Sequence, residues 1–416
     1  MKDNYYFDNA ATTWPKPECV YTSIDRVYRA LGVNPGRAGH AMSVEAESHV
    51  ARARRLLSEF FGHRGSPERV VFAANATDAL NTALLGVLQP GDHVITTRLE
   101  HNSVLRPLHH LRERIGLEVS HIPADGKGYV DPDDIAAAFN RRTRLIVATH
   151  ASNVLGSVQP IAAFGAVARE RGALLLVDAC QTAGVVPIDM DRMHIDLLAF
   201  TGHKGMFGPM GSGGLVVGEG VDVKASRFGG TGVNSAAPSQ PTDYPHRLEA
   251  GTLNLVGILG LEAAQDWFAD LGRTSGSQDA DPDEAGASSA DSHGVLTRRA
   301  LRVVEARELG ITGRMLDALE QIPGVTIHGP GIATPRVSTF SMNVAGLDAA
   351  QVGDMLDGDG NVCVRAGLHC APMLHQDMGT LETGGTVRFS PGFFTDEEDV
   401  SAALDAILEI ARFAQR

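Results

Sequence analysis

The chain has 416 residues, of which 43% are hydrophobic and 21% are charged, and its formal net charge is −14. This length exceeds what one ordinary hydrophobic core requires, so we expect about two domains. The acidic balance argues against a nucleic-acid-binding protein, because such proteins need a broad basic face. No apolar run approaches the about 18 residues of a membrane helix, and residues 1–8 lack the apolar segment of a secretory signal.

The cysteines are few, and none of them belongs to a C-x-x-C pair. A zinc ribbon or a thioredoxin-like site is therefore not expected, and no metal site is predicted. So few cysteines in a chain of this length do not make a disulfide framework. A reduced, cytoplasmic protein is predicted. The cysteines are Cys19, Cys180, Cys363 and Cys370.

The amino-terminal part combines an extended segment with two helical ones. Residues 1–15 are predicted to form an arm, whereas residues 18–31 and 41–61 have apolar residues at helical spacing. Between the two helices, residues 32–40 contain glycine and proline and are predicted to form a loop. This loop carries Arg37, which either reaches a binding site or lies on a plain surface turn.

Strand-like apolar segments alternate with helical ones through the middle of the chain. The strand-like segments are residues 70–73, 91–96, 145–150, 174–178 and 195–200. Such alternation predicts a mostly parallel sheet with helices on both faces. We therefore expect a large α/β domain over residues 16–265 and a smaller α+β domain over residues 266–416.

Residues 272–294 differ from the rest of the chain because they contain no Val, Ile, Leu, Met or aromatic residue. A segment without such side chains cannot bury enough apolar surface to offset the entropy lost on ordering. We expect a flexible insertion. A plain linker is the favoured interpretation, and a regulatory segment is the alternative.

A helix is predicted to begin directly after the first strand of the middle region. Its opening sequence, Asn75-Ala76-Thr77, offers a hydroxyl and unpaired backbone N–H groups at a helix start, where anions bind. Asn75 or Thr77 can also cap the helix. The two roles are compatible, so this segment is a candidate phosphate site.

The segment after the last of these strands reads Thr-Gly-His-Lys, residues 201–204. Lysines usually lie on exposed helix faces among other charges, whereas Lys204 has small or polar neighbours. Asp178 ends the preceding strand. A lysine that forms a Schiff base and a carboxylate that pairs with a ring nitrogen are what pyridoxal phosphate chemistry requires.

Several segments together resemble the class V, fold-type I pyridoxal phosphate enzymes. They are Asp-Ala-Cys-Gln at residues 178–181, Thr-Gly-His-Lys at residues 201–204 and Arg-Ala-Gly-Leu-His-Cys-Ala at residues 365–371. The last of these is similar to the cysteine desulfurase and selenocysteine lyase branch. The likeness extends from residues 7–13 to residues 387–390, with the motifs in the family's order.

The resemblance implies pyridoxal 5'-phosphate as the cofactor and suggests its contacts. Lys204 would form the Schiff base, Asp178 would hold the ring nitrogen, and His101 would stack on the ring and serve in proton transfer. The remaining cofactor contacts would be Ala76, Thr77, Gln181, Thr201, His203 and Thr252. The family often has a threonine where this chain has Ala76, so one hydroxyl contact is lost there.

A homodimer is also implied by the resemblance. Residues 247–254, which include Thr252, are similar to the family's segment that reaches the phosphate of the partner subunit's cofactor. If the likeness holds, each site is completed only in the dimer.

Arginines are the candidate contacts for a substrate carboxylate, because a guanidinium binds a carboxylate bidentately. The resemblance assigns this role to Arg388, together with the amide of Asn153. An ion pair with a nearby acid is the structural alternative for Arg388. Arg365 and Arg37 are the further candidate substrate contacts.

Two cysteines near the end of the chain have different surroundings. Cys363 alternates with valines and is predicted to be a packed strand residue. Cys370 lies on a polar loop beside Arg365 and His369, and positive neighbours favour the reactive thiolate. The resemblance makes Cys370 the sulfur acceptor.

These residues predict a pyridoxal-phosphate-dependent cysteine desulfurase, which converts L-cysteine to L-alanine and leaves the sulfur on Cys370 as a persulfide. A sulfur-acceptor protein or a reductant would then remove that sulfur. The alternatives are a selenocysteine lyase, a cysteine sulfinate desulfinase, or another class V lyase, racemase or aminotransferase. Cys370 disfavours the last two activities, which need no thiol nucleophile. A non-catalytic binding protein is disfavoured by the intact set of Lys204, Asp178, Cys370 and Arg388.

Overall fold

The structure, a computed structural model, describes residues 3–36, 39–275 and 292–416. The amino-terminal arm contains strand β1 (Tyr5–Tyr6), which is followed by helices α1 (Glu18–Leu31) and α2 (Ala41–Phe60). Both helices lie where the apolar spacing predicts them. The predicted substrate contact of Arg37 falls outside the described residues.

A seven-stranded sheet forms the centre of the protein. Its strands are β2 (Val70–Ala73), β3 (His93–Thr97), β4 (Glu118–Ile122), β5 (Thr143–Thr149), β6 (Leu174–Asp178), β7 (Leu197–Thr201) and β8 (Gly213–Val217). The spatial order is β2-β8-β7-β6-β5-β3-β4. β8 is antiparallel to both neighbours, and the pairs from β7 to β4 are parallel. The prediction of a mostly parallel sheet is confirmed.

Both faces of this sheet are covered. The helices that follow its strands are α3 (Ala76–Val87), α4 (Asn102–Ile115), α5 (Pro132–Ala137) and α6 (Ile161–Arg171), and a short 3-10 turn spans Pro67–Arg69. Alternate residues of β5 belong to different hydrophobic cores: Leu145 and Val147 pack in one, and Ile146 packs in the other. Burial on both faces explains why these strands read as continuous apolar runs.

Two long helices, α7 (Leu255–Thr274) and α8 (His293–Leu319), lead to the last part of the chain. The flexible insertion expected over residues 272–294 is therefore wrong at both ends, which are helical. Gly272 packs tightly against α8, since a β-carbon there would lie 1.9 Å from the carbonyl oxygen of Leu296. The composition of the segment does not reveal this contact, because a glycine adds no apolar side chain. Residues 276–291 of the expected insertion lie outside the described residues.

The carboxyl-terminal part contains β9 (Val325–His328), β10 (Phe340–Val344), α9 (Ala349–Gly360), β11 (Val362–Cys363), β12 (Arg365–Gly367), α10 (Pro372–Asp377), β13 (Thr386–Phe389) and α11 (Glu397–Ala414). Four strands form an antiparallel sheet in the order β12-β13-β10-β9, and β1 pairs in parallel with β11. The amino-terminal arm is thus bound to this part of the protein. The limits of the two domains, residues 16–265 and 266–416, stay a prediction.

A buried ion pair joins α2 to the segment before α7. Arg54 donates hydrogen bonds of 2.7 and 2.6 Å to Glu249, which also accepts the backbone N–H of Phe72 at 2.7 Å. Both charged side chains are 5% exposed. Removal of one partner therefore leaves the other buried without a counter-charge.

We expect Glu249→Ala to lower the free energy of unfolding by about 3–5 kcal/mol, the usual effect of breaking a buried pair. The control is Asp25→Ala, which breaks an exposed pair with Arg29 on α1 and should cost about 0.5 kcal/mol or less. Urea denaturation measures both values. Equal losses in the two variants would contradict this account of the Arg54–Glu249 pair.

Candidate active site

The candidate site lies at the carboxyl ends of the parallel strands, where α/β proteins gather their functional groups. β6 and β7 are parallel neighbours, with Asp178 opposite Ala199. Lys204 follows β7 and, together with Asp178, lines a cavity of about 280 Å³. The strand order therefore brings together the lysine and the aspartate that the sequence singled out.

Most of the predicted site residues line this cavity. They are Ala76, Thr77, His101, Asn153, Asp178, Gln181, Thr201, His203, Lys204, Arg365, Cys370 and Arg388. Thr252 does not, because it lies exposed on a separate surface cavity of about 310 Å³.

Close backbone packing fixes the segment that carries Lys204. Gly184 has a φ of +88°, and a β-carbon there would lie 2.0 Å from the carbonyl oxygen of the residue after Lys204. The carbonyl oxygen of His203 accepts the backbone N–H of Thr13 at 3.0 Å and the Nζ of Lys16 at 3.2 Å. The amino-terminal arm thus helps to hold the lysine segment in place.

Burial lowers the pKa of the Lys204 ammonium group. Arg388 and Arg365 lower this pKa further, whereas Cys180 and Asp178 oppose the shift. Since a lower pKa increases the neutral fraction, Lys204 is prepared for the reactions of a free amine, which are attack on a carbonyl and removal of a proton.

Several polar groups of the cavity suit a phosphate. Within the part of the chain that the structure describes, the buried Thr201 Oγ1 and His203 Nδ1 have no hydrogen-bond partner. Ala76 and Thr77 bring the start of α3 to the same cavity, and the Oδ1 of Asn75 caps this helix by accepting the backbone N–H of Asp78 at 3.0 Å. Unpaired donors at a helix start and free polar atoms match the phosphate group of pyridoxal phosphate.

His101 is fixed at the cavity wall as the cap of α4. Its Nδ1 accepts the backbone N–H of Ser103 at 3.0 Å, which assigns the proton of the neutral ring to Nε2. Burial lowers the pKa of His101, although Asp178 opposes this. The neutral ring is therefore the expected form.

Asp178 is 3% exposed, and its Oδ1 accepts the backbone N–H of Cys180 at 2.9 Å. A buried carboxylate with remaining acceptor capacity fits the ring nitrogen of pyridoxal phosphate. The Cys180 thiol also lines the cavity, and burial raises its pKa well above the ordinary value. Sequence reasoning missed Cys180, although its position between Asp178 and Gln181 could have revealed it.

Arg388 makes the ion pair that was the structural alternative to substrate binding. Its Nη2 donates to Asp8 at 2.8 Å, and its Nη1 donates to the backbone oxygen of Asn153 at 3.1 Å. Its buried Nε has no partner among the described residues. Arg388 is thus held by the arm and still has a free donor in a cavity-lining side chain.

The loop that carries Cys370 is tied to the rest of the protein by three hydrogen bonds. Asn102 donates its backbone N–H to the carbonyl oxygen of Cys370 at 2.8 Å, and Asn153 donates to that of His369 at 2.7 Å. The Nε2 of His369 donates to the carbonyl oxygen of Thr386 at 3.0 Å. These bonds keep Cys370 at the cavity wall.

The expectation that His369 is a positive neighbour of Cys370 is wrong. Burial lowers the pKa of His369 to about 2, and the charge of Arg388 acts in the same direction. The histidine is neutral, so the positive charge near Cys370 comes from Arg365 and Arg388, which lie opposite each other on β12 and β13.

Cys363 lies on β11 with its Sγ 4.0 Å from Asn4 Oδ1, and it does not line the cavity. Among the described residues, no group of three or more His, Cys, Asp or Glu side chains is arranged to hold a metal ion. No helix in the described ranges is long and apolar enough to cross a membrane.

The fold and the cavity together define an α/β protein in which a lysine and an aspartate line one cavity at the carboxyl ends of the parallel strands. Residues 5–281 and 294–403 match the model of the family "Aminotransferase class-V". This chain belongs to that family.

Similar proteins support this family assignment. A probable cysteine desulfurase of Methanothermobacter thermautotrophicus is 30% identical over 416 residues, which cover 99% of this chain and 96% of that protein. A cysteine desulfurase of Haloferax volcanii is 29% identical, covering 97% of this chain and 88% of that protein. The solved apo structure of a cysteine desulfurase from Thermococcus onnurineus NA1 has a TM-score of 0.85 and 29% identity, covering 99% of this chain and 95% of that one.

Proposed function

We propose that this protein is a pyridoxal-phosphate-dependent cysteine desulfurase that transfers the sulfur of L-cysteine to Cys370. The observation that carries the proposal is that Lys204, Asp178, Arg388 and Cys370 line one cavity. The similarity to proteins named as cysteine desulfurases supports it.

Pyridoxal phosphate, when bound, supplies an electron sink for the reaction at the substrate α-carbon. Lys204 would hold the group through its amine and would then remove and return protons. Asp178 would accept a hydrogen bond from the ring nitrogen, and Thr201, His203 and the start of α3 would bind the phosphate. The ring of His101, which caps α4, would limit movement of the cofactor ring at the cavity wall.

Arg388 and Asn153 would orient the substrate by its carboxylate. Arg388 lines the cavity and its buried Nε has no hydrogen-bond partner among the described residues, and the exposed Arg365 lies on the neighbouring strand. A guanidinium held by Asp8 pays little entropy on binding, because its position is already fixed.

Cys370 would act on the substrate sulfur. Its thiolate forms a new S–S bond, the Cβ–S bond breaks, and the electron pair stays on the carbon, which takes up a proton to become the methyl group of alanine. Arg365 and Arg388 provide positive charge near this thiolate. The described cysteines are all free, which suits a reducing compartment such as the cytoplasm.

The proposal is tested by incubating the purified, cofactor-loaded protein with L-cysteine and measuring alanine and sulfide. With dithiothreitol we expect equal amounts of both products over many turnovers. With one equivalent of L-cysteine per site and no reductant, alanine should form while the sulfur stays on the protein and little sulfide is released. Pyruvate or ammonia as the main product would instead indicate a lyase of another type.

We expect Arg388→Lys to raise the KM for cysteine by roughly 10–100-fold, the effect of losing one hydrogen bond to a charged group. Lysine keeps the charge but cannot hold Asp8 and a carboxylate in one plane. The control is Arg144→Lys, an exposed arginine at the start of β5. An unchanged KM in Arg388→Lys would contradict the carboxylate contact.

We also propose that the protein is a homodimer in which Thr252 serves the partner's site. Thr252 is exposed and lies on a cavity separate from that of Lys204. Sedimentation should therefore give twice the mass of one chain, and Thr252→Ala should weaken cofactor retention in dialysis. A fully active monomer would contradict this arrangement.

A further inference from the structure

We propose that the surface groove between α4 and α10 is the docking site for an acidic, partly apolar segment of the protein that takes sulfur from Cys370. The groove has a volume of about 280 Å³. We call it the α4–α10 groove, and its lining includes Asn102, Leu105, Arg106, Arg112, His121 and Met373. The inference rests on the proposed function and names the partner that this function requires.

The α4–α10 groove lies directly beside the active-site cavity. Asn102 lines the groove, whereas its chain neighbours His101 and Ser103 line the cavity. Cys370 lines the cavity, whereas Met373, at the start of α10, lines the groove. The hydrogen bond of 2.8 Å from Asn102 to the carbonyl oxygen of Cys370 joins the two walls. An occupant of the groove is therefore next to the sulfur carrier.

The groove presents positive charge on an acidic protein. Arg106 and Arg112 are exposed, and within the described ranges neither guanidinium has an ion-pair partner. No acidic residue lines the groove. The acids on the two helices are Glu113, which lies 3.3 Å from the groove residue His109, and Asp377, which pairs with Arg98 at 2.6 Å. The whole chain has a net charge of −14, so this groove is a local positive region on an acidic protein.

Part of the groove lining is apolar. Leu105, Leu108, Val119 and Met373 contribute to it. Arginines and apolar side chains that line one groove match a peptide segment that combines carboxylates with a hydrophobic residue. A small reductant would use neither feature.

Sulfur transfer to such a partner is balanced without another reagent. A thiolate of the partner attacks the outer sulfur of the Cys370 persulfide and forms a new S–S bond. The bond between Cys370 Sγ and the outer sulfur breaks, and its electron pair returns to Cys370 as thiolate. The partner's thiol proton passes to solvent.

The test uses two synthetic peptides, each with one cysteine and one leucine, flanked either by glutamates or by lysines at the same positions. The holoenzyme is charged by one turnover with L-cysteine, and persulfide on each peptide is followed by mass spectrometry. We expect about tenfold faster transfer to the acidic peptide at low salt, and a smaller preference at high salt.

The double variant Arg106→Glu, Arg112→Glu should lose this preference and keep its alanine formation with dithiothreitol. The matched control is Arg141→Glu, Arg144→Glu, which makes the same charge change at the amino end of β5, away from the cavity. This control should keep the preference.

The outcomes separate this inference from the proposed function. No alanine from cysteine in the wild type would overturn the proposed function. Normal alanine formation with equal transfer to both peptides, or a preference that survives the double variant, would overturn the docking site alone. Inhibition by inorganic phosphate at the peptide's own concentration would also overturn it, because a small anion would then be the occupant.

Discussion

Lys204→Ala is expected to abolish covalent attachment of the cofactor and to lower cysteine turnover by about a thousandfold or more, since one residue supplies both the amine and the proton transfer. The lowered pKa of Lys204 and its place in the cavity with Asp178 support both roles. The variant should still fold, because alanine fits where the longer side chain enters the cavity.

Borohydride reduction followed by peptide mapping shows directly which residue carries the covalently attached cofactor. In the wild type, the peptide with Lys204 should gain the mass of the reduced cofactor. The variant should show no modified peptide and no Schiff-base absorbance. Lys127→Ala, which removes an exposed lysine, should behave as the wild type. A cofactor that stays covalently attached in Lys204→Ala would place the Schiff base on another residue.

Cys370→Ala is expected to retain the cofactor and to lower sulfide release from cysteine at least about a hundredfold, the lower range for a positioned catalytic group. The groups that hold the cofactor and the substrate carboxylate are unchanged in this variant. Without a thiolate, nothing attacks the substrate sulfur. Selenocysteine turnover should fall less, because selenium leaves the β-carbon more readily than sulfur does.

Cys363→Ala is the matched control for the cysteine variant. Cys363 lies on β11 outside the cavity, so its loss should change activity little and stability slightly. Alanine formation by Cys370→Ala at the wild-type rate would show that Cys370 is not the acceptor. The activity would then be that of a lyase or an aminotransferase of the same family.

The sequence predicted those features of the fold and the site that depend on residues close together along the chain. Strand ends bind ligands in parallel sheets, so Asp178 and Lys204 could be placed together from the order of strands and helices. The start of α3 could be placed because helix caps have a short signature. These features are set by periodicity and by a few residues.

Contacts between distant residues could not be predicted in this way. The arm reaches Arg388 through Asp8, and nothing near either residue indicates this ion pair. His369 reads as a positive neighbour in the sequence, but burial among residues of β13 and α10 keeps it neutral. The α4–α10 groove likewise depends on a bond between Asn102 and Cys370.

The measurement that tests the central claim most directly is the mass of the Cys370 peptide after one turnover with L-cysteine in the absence of a reductant. The account predicts one added sulfur atom on Cys370, removable by dithiothreitol, together with one equivalent of alanine. Alanine release without added sulfur on this peptide, or with the sulfur on Cys180 instead, would contradict it.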